Sequence, residues 1–285
     1  MRSIRFKNVS YSYAPGVNAL KNISLSITQS EIVGIMGRNG AGKSTLIQLM
    51  NGLLYPSEGV VNVDGISTSE HNSSELIKKI GIMFQNPDHQ LFSTTVEEEL
   101  DFSLKNLKLS SEQNTTYKQE IIEELGLHEL LGKSPWNCSG GERKKISMAS
   151  ILCRKPDTLV FDEPTLGQDR YGYEILNNIL SQAIDKKKTV IVVTHNTEFA
   201  YKYLKRIIVM EQGRILADGP THEILSNRAI RELSSLVEPQ YLTFKHQLIE
   251  SLSPQNPVLS LIHKSQNFET LQKNLQTLDR EEMNT

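Results

Sequence analysis

The chain has 285 residues, of which 38% are hydrophobic and 22% charged, with a net charge of −2 at pH 7. This length suffices for one large domain with or without an appendix, the composition is that of an ordinary globular protein rather than a fibrous or disordered chain, and the near-neutral charge, which leaves room for a local basic patch, gives no electrostatic reason to expect nucleic acid or an anionic bilayer as the main partner. No apolar run reaches bilayer length, Met1–Arg5 alternates charged and apolar residues unlike a secretory leader, and two cysteines, Cys138 and Cys153, are too few for a disulfide framework, which suggests a reducing cytosol.

Residues 3–13 alternate as a strand does, and residues 23–27 place Ile23, Leu25 and Ile27 on one face. Residues 32–36 (IVGIM) form a continuous apolar run, expected of a strand buried on both faces. A glycine-rich turn follows, then a helix from Lys43 to about Asn51, ended by Gly52. Val60, Val61 and Val63 before Asp64-Gly65 predict a short strand and turn, and residues 80–84 another strand. From about 86 to 156 the spacing becomes helical, over 95–107, 116–126 and 140–154. Buried-type strands resume at 158–162 and 189–194 around a helix near 170–186, and 206–211 with 214–218 read as a hairpin about Gln212-Gly213. Strands alternating with helices imply an α/β domain with a mostly parallel sheet, into which 86–156 is inserted as a helical block. After Glu238 the chain turns polar, Leu248, Leu252, Leu259 and Ile262 are candidates for a small packing face, and the text after Gln272 is charged enough to fray.

Gly37-Arg38-Asn39-Gly40-Ala41-Gly42-Lys43-Ser44 fits G-x-x-x-x-G-K-[ST], between a buried strand and a helix. In that setting, glycines turn backbone N–H groups toward phosphate oxygens and the helix start adds partial positive charge. Lys43 reaches the β- and γ-phosphates, Ser44 offers a hydroxyl to Mg²⁺, and Thr45 follows in the first turn. Downstream, the apolar strand ending in Asp162-Glu163 places a Mg²⁺ carboxylate at Asp162 and a general base at Glu163.

Beside these, Cys138-Ser139-Gly140-Gly141-Glu142 resembles the signature of the ABC (ATP-binding cassette) superfamily, usually Leu-Ser-Gly-Gly-Gln. Gln85 resembles the Q-loop glutamine, Leu166-Gly167-Gln168-Asp169 occupies the D-loop place, His195 resembles the switch histidine, and Tyr13, ahead of Tyr11, matches the aromatic that stacks on adenine. The resemblance spans roughly residues 1–235 and carries six motifs in order. It implies a P-loop ABC cassette at 1–238: a mixed, mostly parallel sheet with an antiparallel N-terminal β part and an inserted helical subdomain, followed by a small C-terminal helical extension at 239–285 that contacts a second subunit. It implies ATP and Mg²⁺ as ligands, with Gly37 to Thr45 and Tyr13 on the nucleotide and Ser44, Gln85 and Asp162 on the metal. Lys43, Gln85, Glu163 and His195 would act in hydrolysis, and Ser139, Gly140, Gly141 and Glu142 would be presented to the nucleotide of a head-to-tail partner, identical or related. Ser139 suits a helix N-cap independently, and its two glycines permit close approach of a ligand. Cys138 and Glu142 depart from the usual pattern, and with a non-identical partner they imply unequal sites.

The run Gln85-Asn86-Pro87-Asp88-His89-Gln90-Leu91-Phe92, followed by Thr95-Val96-Glu97-Glu98-Glu99-Leu100, is similar to the energy-coupling factor branch, importers of vitamins and of cobalt or nickel ions. That likeness implies an integral membrane subunit docked near Gln85–Asp101, where Glu97, Glu98, Glu99 and Asp101 present an acidic patch to its arginines; the same acids also suit a helix N-terminus. The subunit would then sit at the cytoplasmic face of the membrane, peripherally and only through its partner, with no nucleic acid bound. Other ABC importers and exporters, non-transport ABC ATPases, and a kinase or GTPase using the P-loop alone are the competing readings; the last needs neither Ser139-Gly140-Gly141 nor a base beside Asp162.

Overall fold

The structure is a computed structural model that describes residues 3–68, 73–105, 107, 110–167, 170–253, 255–256, 258–265 and 267–282. In chain order, β1 (Ser3–Ala14) and β2 (Val17–Thr28) form an antiparallel ribbon, β3 (Ile32–Gly37) runs into the glycine loop and α1 (Lys43–Met50), and β4 (Glu58–Val63) and β5 (Ile66–Ser67) complete the N-terminal part. Next come α2 (Ser73–Lys79) and β6 (Ile80–Met83), then α3 (Val96–Leu104), α4 (Ser111–Leu125) and α5 (Gly140–Cys153). β7 (Thr158–Asp162), α6 (Arg170–Asp185), β8 (Thr189–Val193), α7 (Thr197–Tyr203), β9 (Arg206–Glu211) and β10 (Arg214–Pro220) follow. The chain ends in α8 (Thr221–Ser226), α9 (Arg228–Ser234), α10 (Gln240–Ser251), α11 (Val258–Lys264) and α12 (Phe268–Glu282).

The strands make two sheets. An antiparallel one has the order β2-β1-β4-β5, and a six-stranded one has the order β10-β9-β3-β8-β7-β6, parallel except for the β9–β10 hairpin. The apolar runs of β3, β7 and β8 are continuous because both faces of this sheet are covered. Val33, Ile35, Val160, Ile191 and Val193 share a core with α1 and the antiparallel sheet. Their neighbours Met36, Leu159, Phe161, Val190 and Val192 pack against the helices that follow β6 and those of the C-terminus. At the hairpin, Gln212 and Gly213 both have positive φ, the requirement of a two-residue primed turn. Gly213 also props the glycine loop, donating its N–H to Ala41 O at 3.1 Å.

Helix α4 starts five residues before the spacing predicts, because Ser110 and Gln113 form a capping box, the Gln113 N–H donating to Ser110 Oγ (3.2 Å) and the Ser110 N–H to Gln113 Oε1 (3.0 Å). The expectation that the chain frays after Gln272 is corrected. The residues from Phe268 to Glu282 are helical, with Leu271 buried and Leu275 packed against the same core as Tyr241 and Ile262. Charge on the outer face of an amphipathic helix had read as disorder. Leu248 and Leu252 pack on this core beside Ile262.

One glycine measures how tightly β6 meets the helical layer. A Cβ at Gly81 would lie 2.3 Å from Ile151 Cγ2 and 2.8 Å from the Pro156 ring, neither of which can swing away. Gly81→Ala is therefore expected to lower the urea midpoint by a destabilisation of about 1–3 kcal/mol, an outcome that equilibrium unfolding checks directly.

Candidate nucleotide site

In an open α/β sheet, ligands bind beyond the carboxyl ends of the parallel strands. Four neighbouring strands end here at the predicted residues: β3 at the glycine loop, β8 just before Thr194-His195, β7 at Asp162-Glu163, and β6 just before Phe84-Gln85. They line a cavity of about 650 Å³ that contains Tyr13, Gly37, Arg38, Asn39, Gly40, Gly42, Lys43, Ser44, Thr45, Gln85, Asp162, Glu163 and His195. Ala41 is buried beneath the loop and does not line it. Ala19, Leu166 and Ser234-Ser235-Leu236 also border the cavity. The Ser234–Leu236 segment gives no signal in the sequence: it is the end of a seven-residue helix, too short for periodicity to register.

The loop geometry requires its glycines. Gly37, Gly40 and Gly42 all have positive φ, and a Cβ at Gly37 would sit 2.2 Å from Met210 O. Lys43 folds over its own loop, Nζ donating to Gly37 O (2.8 Å) and Arg38 O (3.0 Å). Burial lowers its pKa, while Glu163 and Asp162 act in the opposite direction. Tyr13 is more than half exposed, its hydroxyl hydrogen-bonded to Thr45 Oγ1 at 3.0 Å and its ring edge-to-face with Tyr11.

Two carboxyl groups stand opposite the loop. Glu163 is buried in a left-handed conformation, φ 50°, with its N–H donated to Val193 O at 2.8 Å. One carboxylate oxygen lies 2.8 Å from His195 Nδ1, and the other accepts from Thr194 Oγ1 at 3.4 Å. Asp162 is pushed up to about 6 by burial and then by repulsion from Glu163, against the pull of Lys43. An acid pair that leaves Asp162 raised this far, with Lys43 and Lys144 both acting on it, is a site that favours a further cation. With the Ser44 hydroxyl and the Gln85 amide on the same cavity, the donors are all hard oxygens, which fit Mg²⁺.

Ser139, Gly140, Gly141 and Glu142 do not line this cavity. They begin α5 with a capping box: the Glu142 N–H donates to Ser139 Oγ at 3.3 Å, and the Ser139 N–H donates to the Glu142 carboxylate at 2.6 Å. Those bonds from Ser139 hold the Glu142 carboxyl below the usual carboxylate range. The space above both glycines is open. Cys138 is buried, its thiol directed to Ser134 O at 3.5 Å. Gln168 and Asp169 lie outside the described residues.

Of the acidic patch expected at 97–101, Glu97, Glu98 and Asp101 are exposed and Glu99 is not. Glu99 is 2% exposed and accepts the backbone N–H groups of Phe92 and Ser93, at 3.1 and 3.0 Å. Glu97 and Asp101 both bind Lys118, at 2.9 and 2.7 Å, and Glu98 accepts from the Thr94 hydroxyl. Beside these acids the face exposes an aromatic pair, Phe92 (60%) and Phe102 (52%), edge to face at 4.8 Å. Consecutive glutamates on a helix read as surface charge, but Glu99 satisfies a loop.

Comparison with known proteins agrees with this geometry. A family model described as ABC transporter matches residues 20–166. The chain is 40% identical over 258 residues to the energy-coupling factor transporter ATP-binding protein EcfA2 of Acetivibrio thermocellus, covering 88% of this chain and 91% of that protein. It is 38% identical over 253 residues to the protein of the same name from Caldanaerobacter subterraneus subsp. tengcongensis, covering 86% and 88%. Among solved structures it resembles cbiO1 from Clostridium perfringens, part of the ABC transporter complex cbiONQ (30% identity, TM-score 0.71, covering 85% of this chain and 98% of that one). It also resembles the dimeric post-hydrolysis state of the ATP-binding cassette MJ0796 bound to ADP and Pi (30% identity, TM-score 0.70, covering 76% and 98%).

The raised pKa of Asp162 gives a signed expectation. Its ordinary value is 3.8 and its folded value about 6, so the folded chain binds the extra proton between those pH values and stability is lost as pH rises through them. Asp162→Asn removes that penalty. The nucleotide-free variant should melt above the wild type at pH 8, by on the order of 3 kcal/mol at most, with the gap closing as pH falls from 6 to 4. Melting curves across pH 4–8 check it, and a gap independent of pH would contradict it.

Proposed function

The chain belongs to the ABC transporter family, and from that premise we propose that it is the ATP-hydrolysing subunit of an energy-coupling factor importer of a vitamin or transition-metal ion, working as half of a head-to-tail pair. The observation that carries this reading is the division of the site. The loop, the acid pair, Gln85 and His195 share one cavity, while the Ser139 cap of α5 lies outside it with open space above its glycines. A partner's cap, arriving at this cavity, would complete it.

In this reading Tyr13 stacks on adenine, and the loop N–H groups from Gly37 to Thr45 hold the phosphates. Lys43 leaves the carbonyls of Gly37 and Arg38 to reach the γ-phosphate, exchanging two neutral acceptors for an anion. Ser44, Gln85 and Asp162 would hold Mg²⁺, which when bound neutralises charge on the β- and γ-phosphates. Glu163 takes the proton of the attacking water. His195, at 2.8 Å from Glu163, orients that carboxylate and reaches toward the γ-phosphate through its exposed edge. Ser139, Gly140 and Gly141 of the partner supply a helix N-terminus to the same phosphate, and Glu142 serves chiefly to cap that helix.

We assign the cassette to residues 1–238, its helical subdomain to about 86–156, and the extension that helps join the pair to 239–285. Among the described residues no helix is long and apolar enough to cross a membrane. We infer attachment to the cytoplasmic face through an integral subunit docked on the face between Gln85 and Asp101, with Phe92 and Phe102 as its apolar contact beside the exposed Glu97, Glu98 and Asp101.

Two measurements test this. Glu163→Gln should lower ATP turnover by about 100-fold or more while eluting at twice the monomer mass in ATP but not ADP, and Lys43→Ala should lose the ATP-dependent pairing; full turnover by an isolated monomer would refute the proposal. Phe92→Asp should release the protein from its integral partner in a membrane pull-down while leaving turnover of the soluble pair within twofold.

A further inference from the structure

Helix α5 carries a side chain that the chemistry above does not use. Lys144 lies five residues after the Ser139 cap and is 8% exposed. An ammonium so deep must find hydrogen-bond acceptors. Its Nζ donates to Glu163 O at 3.2 Å and to Leu166 O. Burial lowers its pKa, with the Glu163 carboxylate acting against that shift.

Those two carbonyls bracket the turn that follows β7. The turn needs holding from outside, because Glu163 sits in the left-handed region that a residue with a Cβ disfavours. On the strand side its N–H is fixed by Val193 O. Within the turn, the Leu166 N–H donates to Glu163 O only at a long 3.3 Å. Lys144 supplies the remaining restraint, reaching across from a different element with a flexible stem and a terminal group that can donate to both carbonyls at once.

We propose that Lys144 is a positioning residue that clamps the Glu163–Leu166 turn to the start of α5, so that the general base of one nucleotide site and the serine cap offered to the opposite site move as one body. The inference rests on the reading of Glu163 as the base. A rigid helix turn separates Ser139 from Lys144, so a displacement of the cap on meeting the partner's nucleotide is carried to the backbone of Glu163 in its own chain. Nucleotide affinity should be spared, since Lys144 touches neither the glycine loop nor Tyr13.

The test compares Lys144→Met, which keeps length and burial but loses the donors, with Lys144→Gln, whose amide keeps donors, and with Glu163→Gln. Turnover, ATP-dependent pairing by size-exclusion chromatography and melting temperature are measured for each full-length chain. Lys144→Met should lose at least tenfold in kcat with KM for ATP within twofold, and should still pair in ATP as Glu163→Gln does; Lys144→Gln should recover at least a third of wild-type kcat. Lys144→Ala, judged by the same criteria, takes the place of Lys144→Met if that variant melts below the assay temperature. Wild-type kcat in Lys144→Met, a loss confined to KM, or a Lys144→Gln no better than Lys144→Met at equal melting temperature would each overturn the role. Turnover surviving in Glu163→Gln sinks the assignment of the base and the clamp with it, whereas loss in Glu163→Gln beside full turnover in Lys144→Met sinks the clamp alone.

Discussion

Everything in this molecule depends on a sheet buried on both faces. Because β3, β8 and β7 have no solvent-facing side, their side chains are committed to packing and the chemistry is pushed to the carboxyl edge, where each strand hands the chain to a turn. Adjacency in the sheet then does what adjacency in sequence cannot. Lys43, Gln85, Asp162 and His195 span more than half the chain, yet they line one cavity because their strands are neighbours. The hairpin at Gln212-Gly213 and the antiparallel sheet serve the same edge, bracing the glycine loop through Gly213 and presenting Tyr13 to Thr45.

The charges at that edge are unevenly matched. Lys43 is spent on two carbonyls, and Asp162 is raised above an ordinary aspartate by burial and then by the neighbouring Glu163. In the proposed function, a Mg²⁺ carrying phosphate charge would relieve that repulsion. The signature shows the opposite economy. Glu142 would repel an incoming phosphate if it were free, but its carboxylate is engaged by the Ser139 N–H, so the charge that differs from the usual glutamine is directed back into its own cap.

Most of the site was readable because each of its parts is a local pattern: a glycine loop between a strand and a helix, an apolar strand ending in Asp162-Glu163, a serine and two glycines opening α5. Local patterns survive translation into a one-dimensional text. What was not readable depends on partners distant in sequence. Glu99 looks like surface charge until Phe92 and Ser93 are seen to donate to it, and Lys144 looks like one more cation in a basic helix until the turn after β7 is laid beside it. The continuation of the helical extension past Gln272 in α12 is illegible for a related reason, since leucines spaced among charges signify a helix only once a surface exists to cover, as Leu271 and Leu275 find here.

The same distinction bears on how a force at the proposed docking face would reach the nucleotide. The short segment after β6 is tied to α5 twice, by the ion pair of Asp88 with Arg143 at 2.8 Å and by Gln90, whose amide donates to Ser147 O at 2.7 Å and Ser150 Oγ at 2.8 Å. Gln90 also accepts, at 3.4 Å, from the N–H of Phe84, the residue before Gln85. Gln85 borders the cavity, α5 carries the serine cap at its start, and Phe92 of the exposed Phe92–Phe102 pair lies two residues beyond Gln90. A load on Phe92 would therefore pass to α5 and to the end of β6 together, through these side-chain bonds. A polar loop without such bonds to α5 would absorb the displacement before it reached Gln85 or the Ser139 cap.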